Sequence, residues 1–146
     1  MTVKGMDHVG MVVNDLKAAT EFFLSIGLVL QDESEVEGEW VDRIIGLEGV
    51  LSRVAYLETP DGHSHIELSE FRSPPSPEGD QRAPANAPGL RHLSFLVDDL
   101  DAVLAELRAR GVELVGEVEQ YEDVYRLCYV WGPEGIIVEL AEKLGG

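Results

Sequence analysis

The sequence of 146 residues has a single cysteine, only 11 lysines and arginines against 28 aspartates and glutamates, and no apolar run of membrane-spanning length. One cysteine excludes an internal disulfide, and Cys128 lies in an apolar run, as suits a small core residue in a reducing compartment. The formal charge of -17 repels phosphate backbones and anionic lipid, so neither nucleic acid nor a membrane is expected as a partner. Met1 to Asp7 shows neither the basic nor the apolar region of a signal peptide, and a cytoplasmic location is expected. Glycine-rich phosphate loops, a serine elbow and a CxxC pair are all missing. The acidic cluster of Glu117, Glu119, Glu122 and Asp123 lacks EF-hand spacing and reads as a solvated edge. A chain of this length buries roughly two-thirds of its unfolded surface on folding, so a structural metal is not required for stability.

What the sequence does contain is an internal repeat. Met6 to Leu16 matches Leu90 to Leu100 in polarity and order, and His8/His92, Asp15/Asp99, Leu16/Leu100 and Gly27/Gly111 share one offset of 84. Arg53 to Leu57 matches Arg126 to Val130, and Pro60-Asp61-Gly62 matches Pro133-Glu134-Gly135, both at an offset of 73. Ile66-Glu67-Leu68 matches Val138-Glu139-Leu140 at 72. Each copy predicts a strand, a helix and three strands. The first strands are 6–13 and 90–97, and the later ones about 28–35, 51–58 and 64–70, then 112–118, 124–131 and 136–141. Asp15 and Asp99 stand as acidic N-caps, with Gly27 and Gly111 as helix stops. This gives an α+β chain with a first βαβββ module over 1–73, a linker over 74–89 and a second module over 90–146. Five of the seven prolines fall between Ser73 and Pro88, which marks that linker. Glu35 to Gly49 reads as a long irregular flap carrying Trp40 and Arg43.

Packing does not explain four repeated residues: His8, Glu67, His92 and Glu139, each an ionisable group in an apolar strand. Burying an unpaired carboxylate is costly, so these groups require a compensating partner. If the first and last strands of each copy face one cavity, two imidazoles and two carboxylates converge. Such a set gives a neutral site for a divalent ion: Zn, Ni, Mn, Fe or Co. The competing readings are a buried polar network and a local His63-x-His65-x-Glu67 site on one strand face. Arg53 and Arg126 occupy equivalent strand positions, suited to clamping a substrate anion or to pairing with an internal carboxylate. Tyr56 and Tyr129 alternate with these arginines and are expected to pack against the helices.

With Met-Asp-His8-Val-Gly, Ile66-Glu67-Leu68, Leu-Arg-His92-Leu-Ser-Phe-Leu-Val-Asp-Asp-Leu and Pro-Glu-Gly-Ile-Ile-Val-Glu139-Leu, the chain resembles the vicinal oxygen chelate superfamily. That superfamily includes glyoxalase I, extradiol dioxygenases, methylmalonyl-CoA epimerase, and fosfomycin and bleomycin resistance proteins. The resemblance implies paired βαβββ modules whose curved mixed sheets enclose a metal cavity, commonly in a homodimer. It carries the ligand positions onto His8, Glu67, His92 and Glu139, a set similar to that of glyoxalase I. The activity implied is a metal-dependent lyase or isomerase on a small vicinal-oxygen substrate, through an enediolate, with Glu67 or Glu139 as base. An Fe(II)-dependent ring-cleaving dioxygenase and a small-molecule-sequestering resistance protein are the alternatives. Arg53, Arg126 and Trp40 are the candidate substrate contacts.

Overall fold

The structure is a computed structural model that describes residues 2–79 and 81–145. The chain divides into two compact units, Met1–Glu78 and Gly79–Gly146. In the first, β1 (Val9–Val12) leads into α1 (Leu16–Ser25), followed by β2 (Val29–Glu37), α2 (Glu39–Ile45), β3 (Leu51–Glu58) and β4 (His65–Ser73). The second repeats the plan as β5 (His92–Leu96), α3 (Leu100–Ala109), β6 (Glu119–Tyr121), β7 (Tyr125–Trp131) and β8 (Ile137–Lys143). Each unit is built on an open four-stranded mixed sheet, ordered β1-β4-β3-β2 and β5-β8-β7-β6. The architecture is α+β, as the sequence predicts.

Within each sheet the first and last strands of the unit pair in parallel, and the remaining pairs are antiparallel. A parallel pair cannot be joined by a tight turn, so the helix and the intervening strands form the crossover. The register preserves the sequence repeat: Gly10 lies opposite Glu67, and Ser94 opposite Glu139. One face of each sheet packs on its helix. Leu16, Ala19 and Phe23 of α1 are buried along with Ala55, Leu57, Ile66 and Leu68, and Leu100, Leu104 and Leu107 of α3 are buried along with Cys128, Val138 and Leu140.

The helix ends follow the sequence signals. Asp15 accepts from the Ala18 amide at 3.0 Å and Asp99 from the Ala102 amide at 3.1 Å, each satisfying one of the amides left open at a helix start. The stops at Gly27 (φ 108) and Gly111 (φ 82) are closed by bonds from Leu28 N to Phe23 O and Val112 N to Leu107 O. A less visible cap comes from the sheet. Glu70 accepts from the Leu16 amide at 2.8 Å, and Glu142 accepts from the Leu100 amide at 2.7 Å.

Three expectations about elements change. The flap at 35–49 is not irregular: β2 runs to Glu37 and α2 follows, its Asp42 carboxylate accepting from the Gly49 and Val50 amides at 3.0 and 2.9 Å. The strand expected at 112–118 is reduced to a single bridge between Leu114 and Val130, and regular pairing starts at Glu119. Gly116 follows Val115 in a bend there, and a glycine weakens a strand interior. Finally, part of the proline-rich stretch is anchored to the second unit. Arg91 donates to the carbonyls of Ala83 and Pro84, Arg82 lies 5.1 Å over the Trp131 ring, and a Cβ on Gly135 would fall 1.2 Å from the Gln81 carbonyl oxygen.

The cap on α3 gives a direct test. Glu142→Ala removes a carboxylate from a helix-start amide and is expected to cost about 1 to 2 kcal/mol, measured as a lower urea midpoint at unchanged slope. An unchanged midpoint would show that water replaces the carboxylate at no cost.

Candidate functional site

The parallel pairing sets a histidine against a glutamate in each unit. His8 immediately precedes β1 and Glu67 lies within β4; the imidazole Nε2 is 3.3 Å from the carboxylate Oε2. In the second unit, His92 opens β5 and Glu139 lies within β8, with Nε2 3.5 Å from Oε1. These groups are only partly covered: the side chains are 32% and 24% exposed in the first pair and 39% and 19% in the second. Desolvation is thus milder than the apolar sequence context suggests, and neighbouring hydroxyls satisfy the carboxylates. Ser69 Oγ donates to Glu67 at 3.2 Å and Ser94 Oγ to Glu139 at 2.9 Å.

Tyrosines complete each pair. The Tyr56 hydroxyl donates to Glu67 Oε2, and its ring meets the His8 ring edge-on with centroids 5.6 Å apart. Tyr129 stacks at a tilt on His92, centroids 4.8 Å apart, with its hydroxyl 3.5 Å from His92 Nε2. The faces assigned from sequence are therefore reversed: the tyrosines lie on the His–Glu side of their sheets, and Arg53 and Arg126 lie on the helix side. Strict alternation separates the two sets but does not say which set meets the helix. Arg126 is held there by Asp101 of α3, at 3.0 and 3.3 Å. That bond and charge keep the Asp101 carboxyl below its ordinary range and raise the Arg126 guanidinium. Trp40 lies on α2 and is more than half exposed.

The two pairs differ in their outer neighbours. Asp7 Oδ2 lies 2.6 Å from His8 Nδ1, and the bond to His8 holds the Asp7 carboxyl below its ordinary range. The repeat puts Arg91 at the matching position, where its guanidinium is committed to backbone carbonyls. The alternative local site does not form as a triplet. His65 is 3.0 Å from Glu58, and His63 belongs to the turn before β4. Cys128 is buried, and burial raises its thiol, consistent with an inert core residue.

The donor chemistry fits a divalent cation. Two cis ligands at bonds of about 2.1 Å stand about 3 Å apart, close to the spacing of each His–Glu pair. Asp7 on Nδ1 leaves His8 Nε2 to face Glu67, and Tyr56 and Ser69 hold the carboxylate, as outer partners of ligands commonly do. Each pair alone is a two-donor set, and among the described residues no group of three or more His, Cys, Asp or Glu is arranged to hold a metal.

Residues 5–140 match the Glyoxalase/Bleomycin resistance protein/Dioxygenase superfamily. The chain belongs to that superfamily. Its fold is similar to that of a glyoxalase family protein from Bacillus cereus, with a TM-score of 0.96, 48% sequence identity, and 99% of this chain and 97% of that one covered. It is 30% identical over 145 residues to the uncharacterized protein YaeR of Escherichia coli (strain K12), covering 97% of this chain and 98% of that protein. The trypanothione-dependent glyoxalase I of Leishmania major shares the fold at a TM-score of 0.65 and 20% identity, covering 96% of this chain and 87% of that one. Members of the superfamily are typically divalent-metal dependent and commonly homodimeric. No helix among the described residues is long and apolar enough to cross a membrane.

The bond from Tyr56 to Glu67 generates a pH prediction for the metal-free chain. Chiefly that bond, aided by burial and the carboxylate's charge, pushes the phenol from 10.0 up to about 12. An acid whose folded value is raised stabilises the fold fully below the unfolded value, near 10, and loses that contribution as pH rises through about 12. The phenolate absorbance difference between the wild type and Tyr56→Phe should therefore develop near pH 12; development near 10 would exclude a strong Tyr56–Glu67 bond.

Proposed function

We propose that His8, Glu67, His92 and Glu139 are divalent-metal ligands, and that the protein is a glyoxalase-like lyase or isomerase of a small vicinal-oxygen substrate. The observation that carries this reading is the twofold occurrence of a His–Glu pair, at 3.3 and 3.5 Å, in the same parallel register. The tyrosines recur with the pair, Tyr56 and Tyr129 standing at matching positions, while the serines that bond the two carboxylates come from different strands, Ser69 from β4 and Ser94 from β5. Two neutral imidazoles and two carboxylates suit Zn, Ni, Mn, Fe or Co. When bound, the cation would act as a Lewis acid that polarises substrate oxygens.

The chain's own residues then divide the work. A carboxylate beside an acidic C–H removes the proton and returns it to the neighbouring carbon, while positioning makes the transfer effectively intramolecular. Glu67 is restrained by both Tyr56 and Ser69, whereas Glu139 accepts a 2.9 Å bond from Ser94, with Tyr129 and its raised phenol alongside. Both carboxylates stand beside a tyrosine and accept from a serine, and either Glu67 or Glu139 serves as the base. A homodimer in the cytoplasm, acting on a small molecule, completes the reading.

Metal content of the protein purified without added metal tests the ligand set. Near-stoichiometric metal in the wild type should fall in His92→Ala, Glu67→Gln and Glu139→Gln, with circular dichroism unchanged. Retention of full metal by these variants would overturn the set. With the metal-loaded wild type, deuterium exchange next to the carbonyl of hydroxyacetone should be catalysed, and among variants reloaded with metal it should be lost in whichever of Glu67→Gln and Glu139→Gln removes the base. Oxygen uptake with catechol by the Fe(II) form, without such exchange, would replace the isomerase assignment with ring cleavage.

A further inference from the structure

A groove of about 470 Å³ opens on the other face of the first sheet, between α1 and strands β2, β3 and β4. Arg53, Lys17 and Arg72 line it together with the apolar walls of Leu16, Leu24 and Leu30. Among the described residues, the Nε of Arg53 is buried with no hydrogen-bond partner. A buried donor left unpaired is costly, and guanidinium groups are particularly suited to planar carboxylates.

The second unit supplies an internal control. There the matching arginine, Arg126, is bound through both terminal nitrogens by the carboxylate of Asp101. At the position of Asp101 the first unit has Lys17, which reverses the charge and removes that carboxylate. Thr20 stands where buried Leu104 stands, and Arg72 where Leu144 stands, so the first copy has less apolar bulk and one more cation. Two of the groove's own carboxylates are committed elsewhere: Glu70 to the Leu16 amide and Asp15 to the Ala18 amide. Glu21 and Glu33, both exposed, line it too and oppose ligands of high negative charge.

We propose that this groove binds a small monocarboxylate with a short apolar chain, its carboxylate pairing with the Arg53 guanidinium side-on, through Nε and a terminal nitrogen, where Asp101 meets Arg126 through the two terminal nitrogens. This site is separate from the His–Glu residues, which lie on the opposite face of the sheet, and it does not depend on their binding a metal. The probe is 4-methylpentanoate, with uncharged 4-methylpentanamide as control, followed through the Arg53 Nε–H resonance in proton–nitrogen correlation spectra. Saturable shifts are expected with the carboxylate and not with the amide. Lys17→Asp, which restores the carboxylate of the second unit, should weaken binding by about tenfold or more. Arg72→Leu should weaken it in the same direction, and backbone resonances remote from the groove report that both variants remain folded. Absence of saturable shifts, equal response to the amide, or unaltered affinity in both variants would overturn the proposal.

Discussion

Everything placed on these sheets depends on the parallel pairing of the strands that begin and end each unit. That pairing joins residues distant in sequence, so a histidine at the start and a glutamate near the end are brought within hydrogen-bonding range. It also forces the helix into the crossover, which covers one sheet face and leaves the other for polar chemistry. The glutamates of the helix-facing side, Glu70 and Glu142, show the same logic in reverse. Three residues along from Glu67 and Glu139, they point to the other face and bind helix-start amides. One short stretch of strand thereby carries a ligand candidate and a helix cap.

The outline of the fold and the four central residues were legible because they occur twice. A lone histidine in an apolar strand has an ordinary explanation, but matched His and Glu positions with a common spacing demand a common cause. The helix boundaries were legible for a different reason: Asp15, Asp99, Gly27 and Gly111 act locally, through hydrogen bonds to backbone groups a few residues away. What sequence could not supply was long-range partner choice. Period-two alternation separates Arg53 from Tyr56, yet only the packed sheet reveals that the arginine faces α1 and the tyrosine faces His8. The short β6 escaped for a related reason, because apolar content near 112–115 suggests a strand while Gly116 and the bend stop regular pairing.

The two copies have kept their frame and changed its surroundings. Tyr56 bonds the glutamate of its pair, whereas Tyr129 stacks closely on the histidine of its own. Asp7 lies against His8, while Arg91 is committed to a neighbouring loop. Lys17 and Asp101 carry opposite charges at one helix position. Shared register with diverged neighbours is how a duplicated module can keep one chemistry while its halves assume unequal roles.

The glycines of the two Pro-x-Gly turns illustrate this inequality at the level of single atoms. Gly62 and Gly135 both have positive φ, but an added Cβ meets nothing within 4 Å at Gly62 and collides with the Gln81 backbone at Gly135. At the first turn only conformational preference restricts the choice of residue, so asparagine, which tolerates left-handed backbone, is an admissible replacement. At the second, steric exclusion is added, and no side chain of any kind fits without moving the segment above it. Positions descended from one ancestral glycine would thus drift at different rates, and a sequence comparison that aligned them would mistake two separate constraints for one.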